Sequence, residues 1–153
     1  MHFYNSFFLN TIRSWNKLPP DVQNNPSLPS FKLFLKSKFP KLPNYFYVGN
    51  RIGQILHSKL RLECSSLNQH LYRRKMCNSP LCACGATESP EHYLIFCLQH
   101  APTRSHTICT IKYPITVELL LYGSSDLSNN ENKNIFLLVQ RFIIESKRFS
   151  NTT

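Results

Sequence analysis

Residues 82–97 read CACGATESPEHYLIFC, which places three cysteines and one histidine within sixteen residues. Thiolates and a neutral imidazole together form the donor set of a tetrahedral zinc site. The spacing C-x-C-x7-H-x4-C assigns Cys82, Cys84, His92 and Cys97 as the ligands. Gly85 allows a tight backbone turn after the first pair, and Ser89 followed by Pro90 starts a helix that carries His92. Cys97 lies five residues beyond His92, about 140° around an ideal helix, so that helix must end or tighten before Cys97. Four protein ligands leave no open coordination position, which makes the zinc structural and not catalytic. Cys77, His100 and His106 stand close enough in sequence to replace one of the four. A disulfide inside the cluster would leave His92 unexplained. Cys64 and Cys109 read as buried small residues.

The rest of the chain is consistent with a metal role for these cysteines. It has 153 residues, 42% of them hydrophobic, which suits one ordinary domain or two small ones. There is no run of eighteen apolar residues, and Asn5, Ser6, Asn10 and Arg13 interrupt the opening stretch, so neither a membrane span nor a signal peptide fits. The expected location is the nucleus and cytoplasm. In a reducing compartment six cysteines point to metal binding and burial before a disulfide framework. The net charge of +10 is uneven: residues 1–76 carry twelve Lys and Arg against Asp21 and Glu63, whereas residues 77–153 carry six of each sign. A basic half beside a neutral half is the pattern of a surface that meets a polyanion.

Hydrophobic spacing predicts a succession of short helices. Ile12, Trp15 and Leu18 share one face before Pro19 and Pro20 end the turn. Ser27 caps a second helix with Leu28, Phe31, Leu35 and Phe39 on one side and Lys32, Lys36 and Lys38 displaced toward solvent. The stretch NYFYVGN is aromatic and β-leaning. Ile52, Ile55, Leu56, Leu60, Leu67 and Leu71 then recur at helical intervals, as one helix broken near residues 63–66 or as two short ones. His57 and His70 read as ordinary core or surface histidines. PITVELLLYG gives a short buried helix stopped by Gly123. Ser128 and Glu131 have capping-box spacing, and Ile135, Val139, Phe142 and Phe149 form the stripe of a longer helix. The predicted fold is mainly α, with short helices packed around a small zinc knuckle and a longer C-terminal helix. The segments are 1–49, a Pro-punctuated helical stretch; 50–110, a basic helical stretch with the knuckle at 82–97; and 111–153, C-terminal and helical.

Four stretches taken in order resemble one family. They are NSFFLNTIRSWNKLPPDVQNNPSLPSFKLFLK, LHSKLRLECSSLN, SPLCACGATESPEHYLIFC with Arg104 after it, and LLLYGSSDLSNNENKNIF leading to VQRFIIESKRF. Together they resemble the carboxyl-terminal region of reverse transcriptase polyproteins of non-LTR, jockey-like or LINE-type retrotransposons, over residues 3 to about 149. The resemblance implies a zinc knuckle at Cys82, Cys84, His92 and Cys97, downstream of a polymerase. That polymerase needs metal-binding aspartates in a Tyr-x-Asp-Asp stretch, whereas this chain has only Asp21 and Asp126, far apart. It therefore reads as a non-enzymatic tail module separated from its polymerase, in the manner of a truncated element copy. The expected activity is binding of RNA or single-stranded DNA, with Lys59, Arg61, Arg73, Arg74 and Lys75 on phosphates. The alternatives are a scaffold docking on the element polymerase, or a non-functional remnant. No membrane partner is expected.

Overall fold

The computed structural model describes residues 16, 20–24, 27–38 and 42–150. The chain divides into two compact units, Met1–Leu42 and Pro43–Thr153. The fold is mainly α, with seven α-helices and a single isolated β-bridge among the described residues. The helix expected around Ile12, Trp15 and Leu18 lies outside those residues, as do Phe39 and Pro40.

In the first unit, α1 (Pro20–Gln23) opens on a proline, whose fixed φ suits a first helical position. Helix α2 (Leu28–Lys38) begins as its sequence requires: the Ser27 hydroxyl accepts from the Ser30 N–H at 3.3 Å. Phe31 is half-buried, but Leu28 and Leu33 are exposed.

The second unit is organised by its last helix. Helix α7 (Asn129–Glu145) starts with a reciprocal capping box between Ser128 and Glu131 and buries Ile135, Phe136, Val139, Phe142 and Ile143. Its seventeen residues span roughly 25 Å, enough to serve as a spine for several shorter elements. Phe149 is buried too, but from beyond the helix end: Ser146 closes α7, and Lys147 in a left-handed turn (φ 54°) brings Phe149 back over Tyr93. The helical stripe is therefore one residue shorter than the spacing predicts.

Helix α3 (Arg51–Arg61) lies against this spine. Asn50 caps it, accepting from the Gly53 N–H at 2.7 Å. The side facing the core is Gly53, His57 and Leu60, with Leu56 half-buried, while the expected core residues Ile52 and Ile55 are exposed. Helix α3 approaches α7 closely on this side: a Cβ on Gly53 would stand 2.7 Å from Gln140 Oε1 and 3.1 Å from the Gln140 Cβ, so a larger residue would require Gln140 to shift. The chain then breaks at Glu63 (φ 52°) and resumes in α4 (Asn68–Arg73), the two-helix form of the expected pattern. NYFYV is no strand. It forms a 3-10 turn over Asn44–Tyr47 whose Tyr45 and Phe46 rings meet Phe136 edge-on at 5.1 and 5.4 Å, so aromatic packing on α7 overrides the strand leaning.

Helices α5 (Ala101–Ser105) and α6 (Val117–Tyr122) complete the unit. Helix α6 is capped by Thr116, buries Leu119, Leu120 and Leu121, and ends at Gly123 (φ 75°), as its sequence foretells. The buried Asn132 side chain stitches the following loop, accepting from Ser124 N–H and donating to Ser124, Leu127 and Ser128 carbonyls. No helix among the described residues is long and apolar enough to cross a membrane.

His57 makes this core sensitive to pH. Its Nε2–H donates to the Leu120 carbonyl at 2.9 Å, its ring stands edge-on to Phe136, and its Nδ1 is buried without a partner. Burial first, and then the nearby Arg61 charge, push its pKa down to about 3 from 6.5. Below 6.5 the unfolded chain takes up a proton that the folded chain refuses, so stability is full above that pH and falls as pH drops toward 3. The slope is about 1.4 kcal/mol per pH unit, or about 2 kcal/mol lost by pH 5. Urea denaturation at pH 7 and pH 5 should show the His57→Gln variant losing about 2 kcal/mol less than the parent. Equal losses would refute a neutral buried imidazole.

Candidate metal centre

The first pair of ligands is set by a small hairpin. Leu81 and Thr87 form an antiparallel bridge, the Cys82 N–H donates to the Ala86 carbonyl at 2.7 Å, and Glu88 N–H donates to the Pro80 carbonyl at 2.8 Å. Between them the Gly85 N–H returns to the Cys82 carbonyl at 2.9 Å with φ +91°; a Cβ there would meet nothing, so glycine is needed for the backbone angle and not for space. The second pair comes from the helical segment that follows. The Ser89 hydroxyl accepts from the His92 N–H at 3.0 Å and its carbonyl from Tyr93 N–H, which starts the segment where the sequence places it.

From His92 to Phe96 this segment widens into a π-helical turn. The Cys97 N–H donates to the His92 carbonyl at 2.7 Å, five residues back, and Cys97 itself is extended (φ −60°, ψ 119°). The helix does end before Cys97, as the ligand spacing demands. It widens instead of tightening, because an i→i+5 ring carries Cys97 back beneath His92 and an α-turn does not.

The result is a compact cluster. The ligand atoms of Cys82, Cys84, His92 and Cys97 all lie within 4.8 Å of one another and could hold a metal ion. Cys82 Sγ and Cys97 Sγ are 3.7 Å apart, and Cys84 Sγ is 3.1 Å from His92 Nε2. Cys82 and Cys97 are buried, His92 is half-buried and Cys84 is exposed, so the cluster has a dry floor and a wet rim. Burial pushes the Cys82 thiol up to about 11. A cation would have to supply the charge that makes it a thiolate. Cys84, hydrogen-bonded to the Ala86 backbone, sits below the usual thiol range.

Three charged residues outside the ligand set hold this geometry. Arg104, buried on α5, donates to the carbonyls of Leu94 at 2.8 Å, Cys97 at 2.7 Å and Tyr93 at 3.4 Å. Its guanidinium thus satisfies carbonyls left open where the π-turn stops, and clamps the backbone of a ligand. Glu88, in the loop between Cys84 and His92, is buried and accepts from Arg148 Nε at 2.6 Å and from the second Arg148 nitrogen at 2.7 Å. It also accepts from the Asn68 N–H at 2.6 Å, at the first turn of α4. The loop between Cys84 and His92 is therefore tied to α4 and to the segment following α7.

The other sulfur and imidazole groups do not join the cluster. Cys77 Sγ lies 3.1 Å from the Ser79 carbonyl, His100 stands edge-on to Tyr93 with centroids 5.2 Å apart, and His106 meets Glu145 at 2.9 Å. Cys64 and Cys109 are exposed, contrary to expectation. Cys64 follows the left-handed Glu63, where the chain turns outward, and in the 3-10 turn Ile108–Thr110 the core position goes to Ile108. His57 and His70 are both core histidines, and His70 Nδ1 meets the Ser65 hydroxyl at 2.7 Å.

The five basic residues fall into different settings. Arg61 is turned inward: its guanidinium lies over Phe46 at 4.6 Å and Phe136 at 5.4 Å and donates to Ser58 Oγ and the Leu121 carbonyl. Arg74 reaches back to the Ser65 carbonyl at 2.8 Å and the His70 carbonyl at 3.1 Å, which braces the α3–α4 loop. Arg73 is exposed and ion-paired with exposed Glu63. Lys59 and Lys75 are exposed, on the last turn of α3 and just past the end of α4. Of the run 73–75, Arg74 is thus engaged with backbone carbonyls and Arg73 with Glu63, while Lys75 is exposed. No family model, no curated protein and no solved structure matches the chain.

Proposed function

We propose that this chain is a nucleic-acid-binding module built on a structural zinc knuckle, a tail module of the kind that follows the polymerase in non-LTR retrotransposon reverse transcriptases. The observation that carries the reading is the four-ligand cluster of Cys82, Cys84, His92 and Cys97. Zinc–sulfur bonds of about 2.3 Å at tetrahedral angles separate two sulfurs by about 3.8 Å. Cys82 and Cys97 are 3.7 Å apart, which fits. Three thiolates and one imidazole also suit zinc above harder cations. When bound, zinc would supply cross-linking between the hairpin and the π-turn, and with four protein ligands it would have no open position for water. The exposed side chains of Lys59, Arg73 and Lys75, which precede the cluster in sequence, support phosphate contacts by a folded surface.

The test is salt dependence. Affinity for a fluorescent single-stranded oligonucleotide should fall steeply with salt. Changing Lys59, Arg73 and Lys75 together to Gln should flatten the slope of log affinity against log salt by up to about two units, at about 0.7 per lost phosphate contact. Arg61 and Arg74 stay in place because their guanidinium groups hold the fold. Zinc content should not change, since none of the three is a ligand. An unchanged slope in this triple variant would remove the basic surface from the proposal.

A further inference from the structure

The end of α4 carries a hollow that the basic patch alone does not explain. Its volume is about 530 Å³, and it is lined by Tyr72, Arg73, Lys75, Cys77 and Asn78. Helix α4 buries His70 and half-buries Leu71, which leaves Tyr72 pointing off the core side and half-exposed. Immediately after it the chain reverses. Lys75 takes a left-handed conformation (φ 58°), its N–H donates to the Tyr72 carbonyl at 2.9 Å, and the Met76 N–H donates to the Leu71 carbonyl at 2.9 Å. A lysine in that conformation is uncommon, and the turn is what brings Lys75, Cys77 and Asn78 round to the side where Tyr72 stands. Cys77 is occupied with the Ser79 carbonyl, so it forms wall and not ligand.

The hollow therefore combines one aromatic ring, the free ammonium of Lys75, the Arg73 guanidinium, which an incoming phosphate must share with or take from Glu63, and one primary amide. An acidic peptide would need only the cations. A nucleotide uses all of them: the base on the ring, phosphates on Arg73 and Lys75, and a base edge on the Asn78 amide. Resting on the nucleic-acid reading above, we infer that Tyr72, Arg73, Lys75 and Asn78 form a stacking subsite for one unpaired base. The subsite selects single strands over duplex, because a base already stacked between neighbours and paired to its complement cannot lay its face on Tyr72. Since every base has a π-face, the subsite discriminates little between sequences.

The experiment uses the full zinc-loaded chain, a fluorescent oligo-uridylate of about a dozen nucleotides and a duplex of equal length, with affinities from anisotropy at fixed salt. Tyr72→Ala should weaken single-strand binding about 5- to 150-fold while leaving the salt slope and duplex binding as in the parent. Tyr72→Phe should bind like the parent, because the ring and not the hydroxyl makes the contact. Lys75→Gln should instead lower the salt slope by about 0.7. Retained zinc content and far-ultraviolet circular dichroism establish that each variant is folded. If the parent binds with a salt slope but Tyr72→Ala is indistinguishable from it, or duplex binding suffers equally, the stacking subsite is wrong and the basic surface stands. If the parent binds no oligonucleotide, or binds poly-glutamate instead, the nucleic-acid reading falls and the subsite falls with it.

Discussion

Chelation of the purified chain will remove one zinc per molecule and open residues 77–100, while α7 keeps its structure. In an unfolded chain the four ligand side chains are dispersed, so the free energy of binding zinc is itself folding free energy, commonly on the order of 10 kcal/mol apparent for small sites of this kind. The regular structure of this segment amounts to one β-bridge, a π-turn and a 3-10 turn over Leu98–His100, and its other ties are the side chains of Arg104 and Arg148. Hydrogen exchange reads the difference directly. The amides of Cys82 and Cys97, bonded to the Ala86 and His92 carbonyls, should lose protection by several orders of magnitude, whereas Val139 and Ile143, deep in the spine, should lose far less. The loss will not be confined to the knuckle, because Tyr93 and Leu94 sit in the main core beside Phe142 and Phe149. Cys97→Ser should reduce metal retention sharply, and so should His92→Ala. Full zinc content in both variants would sink the ligand assignment.

The Cys/His cluster and the helix caps are local in sequence, and this explains why they can be read from it. Cys82, Cys84, His92 and Cys97 lie in one short stretch whose punctuation, Gly85 and Ser89-Pro90, has a direct backbone meaning. The caps at Ser27 and Ser128 and the stop at Gly123 are likewise decided within a few residues. What sequence reading misses depends on distant partners. Ile52 and Ile55 look like the core side of α3, yet the side that packs inward is Gly53, His57 and Leu60, with Gly53 close against Gln140. Phe149 looks like the end of a stripe, yet it arrives through a left-handed turn. Arg61 and Arg74 stand in a basic run, and Arg104 is marked only by the resemblance; that their guanidinium groups bond carbonyls depends on neighbours that only the folded chain brings near. The π-turn belongs to the same class: no propensity announces it, and the need to return Cys97 to His92 is its only signal.

Replacing Glu88 with Ala will destabilise the second unit by about 3–5 kcal/mol, the usual effect of breaking one partner out of a buried ion pair. Glu88 is 3% exposed, and both of its oxygens receive Arg148 nitrogens, at 2.6 and 2.7 Å. Its loss leaves the Arg148 guanidinium with the Ser66 carbonyl at 3.1 Å and the Asn68 side-chain oxygen at 3.4 Å, but with no countercharge. It also leaves the Asn68 N–H, at the first turn of α4, without the oxygen 2.6 Å away that now accepts from it. The ring of buried Phe149, 5.8 Å from the guanidinium, offers only a weak cation–π contact in place of the carboxylate. For a unit of this size the expected fall in melting temperature exceeds about 10 °C. Glu88→Gln, which can still accept hydrogen bonds but carries no charge, should lose distinctly less. The double variant Glu88→Leu, Arg148→Met should recover much of the loss, because swapping a whole buried pair for apolar groups costs little when both charges leave together. A double-mutant cycle in urea thus separates the pair from its surroundings. A Glu88→Ala chain within about 1 kcal/mol of the parent would show that the loop between Cys84 and His92 does not depend on its tie to α4 and to the segment after α7.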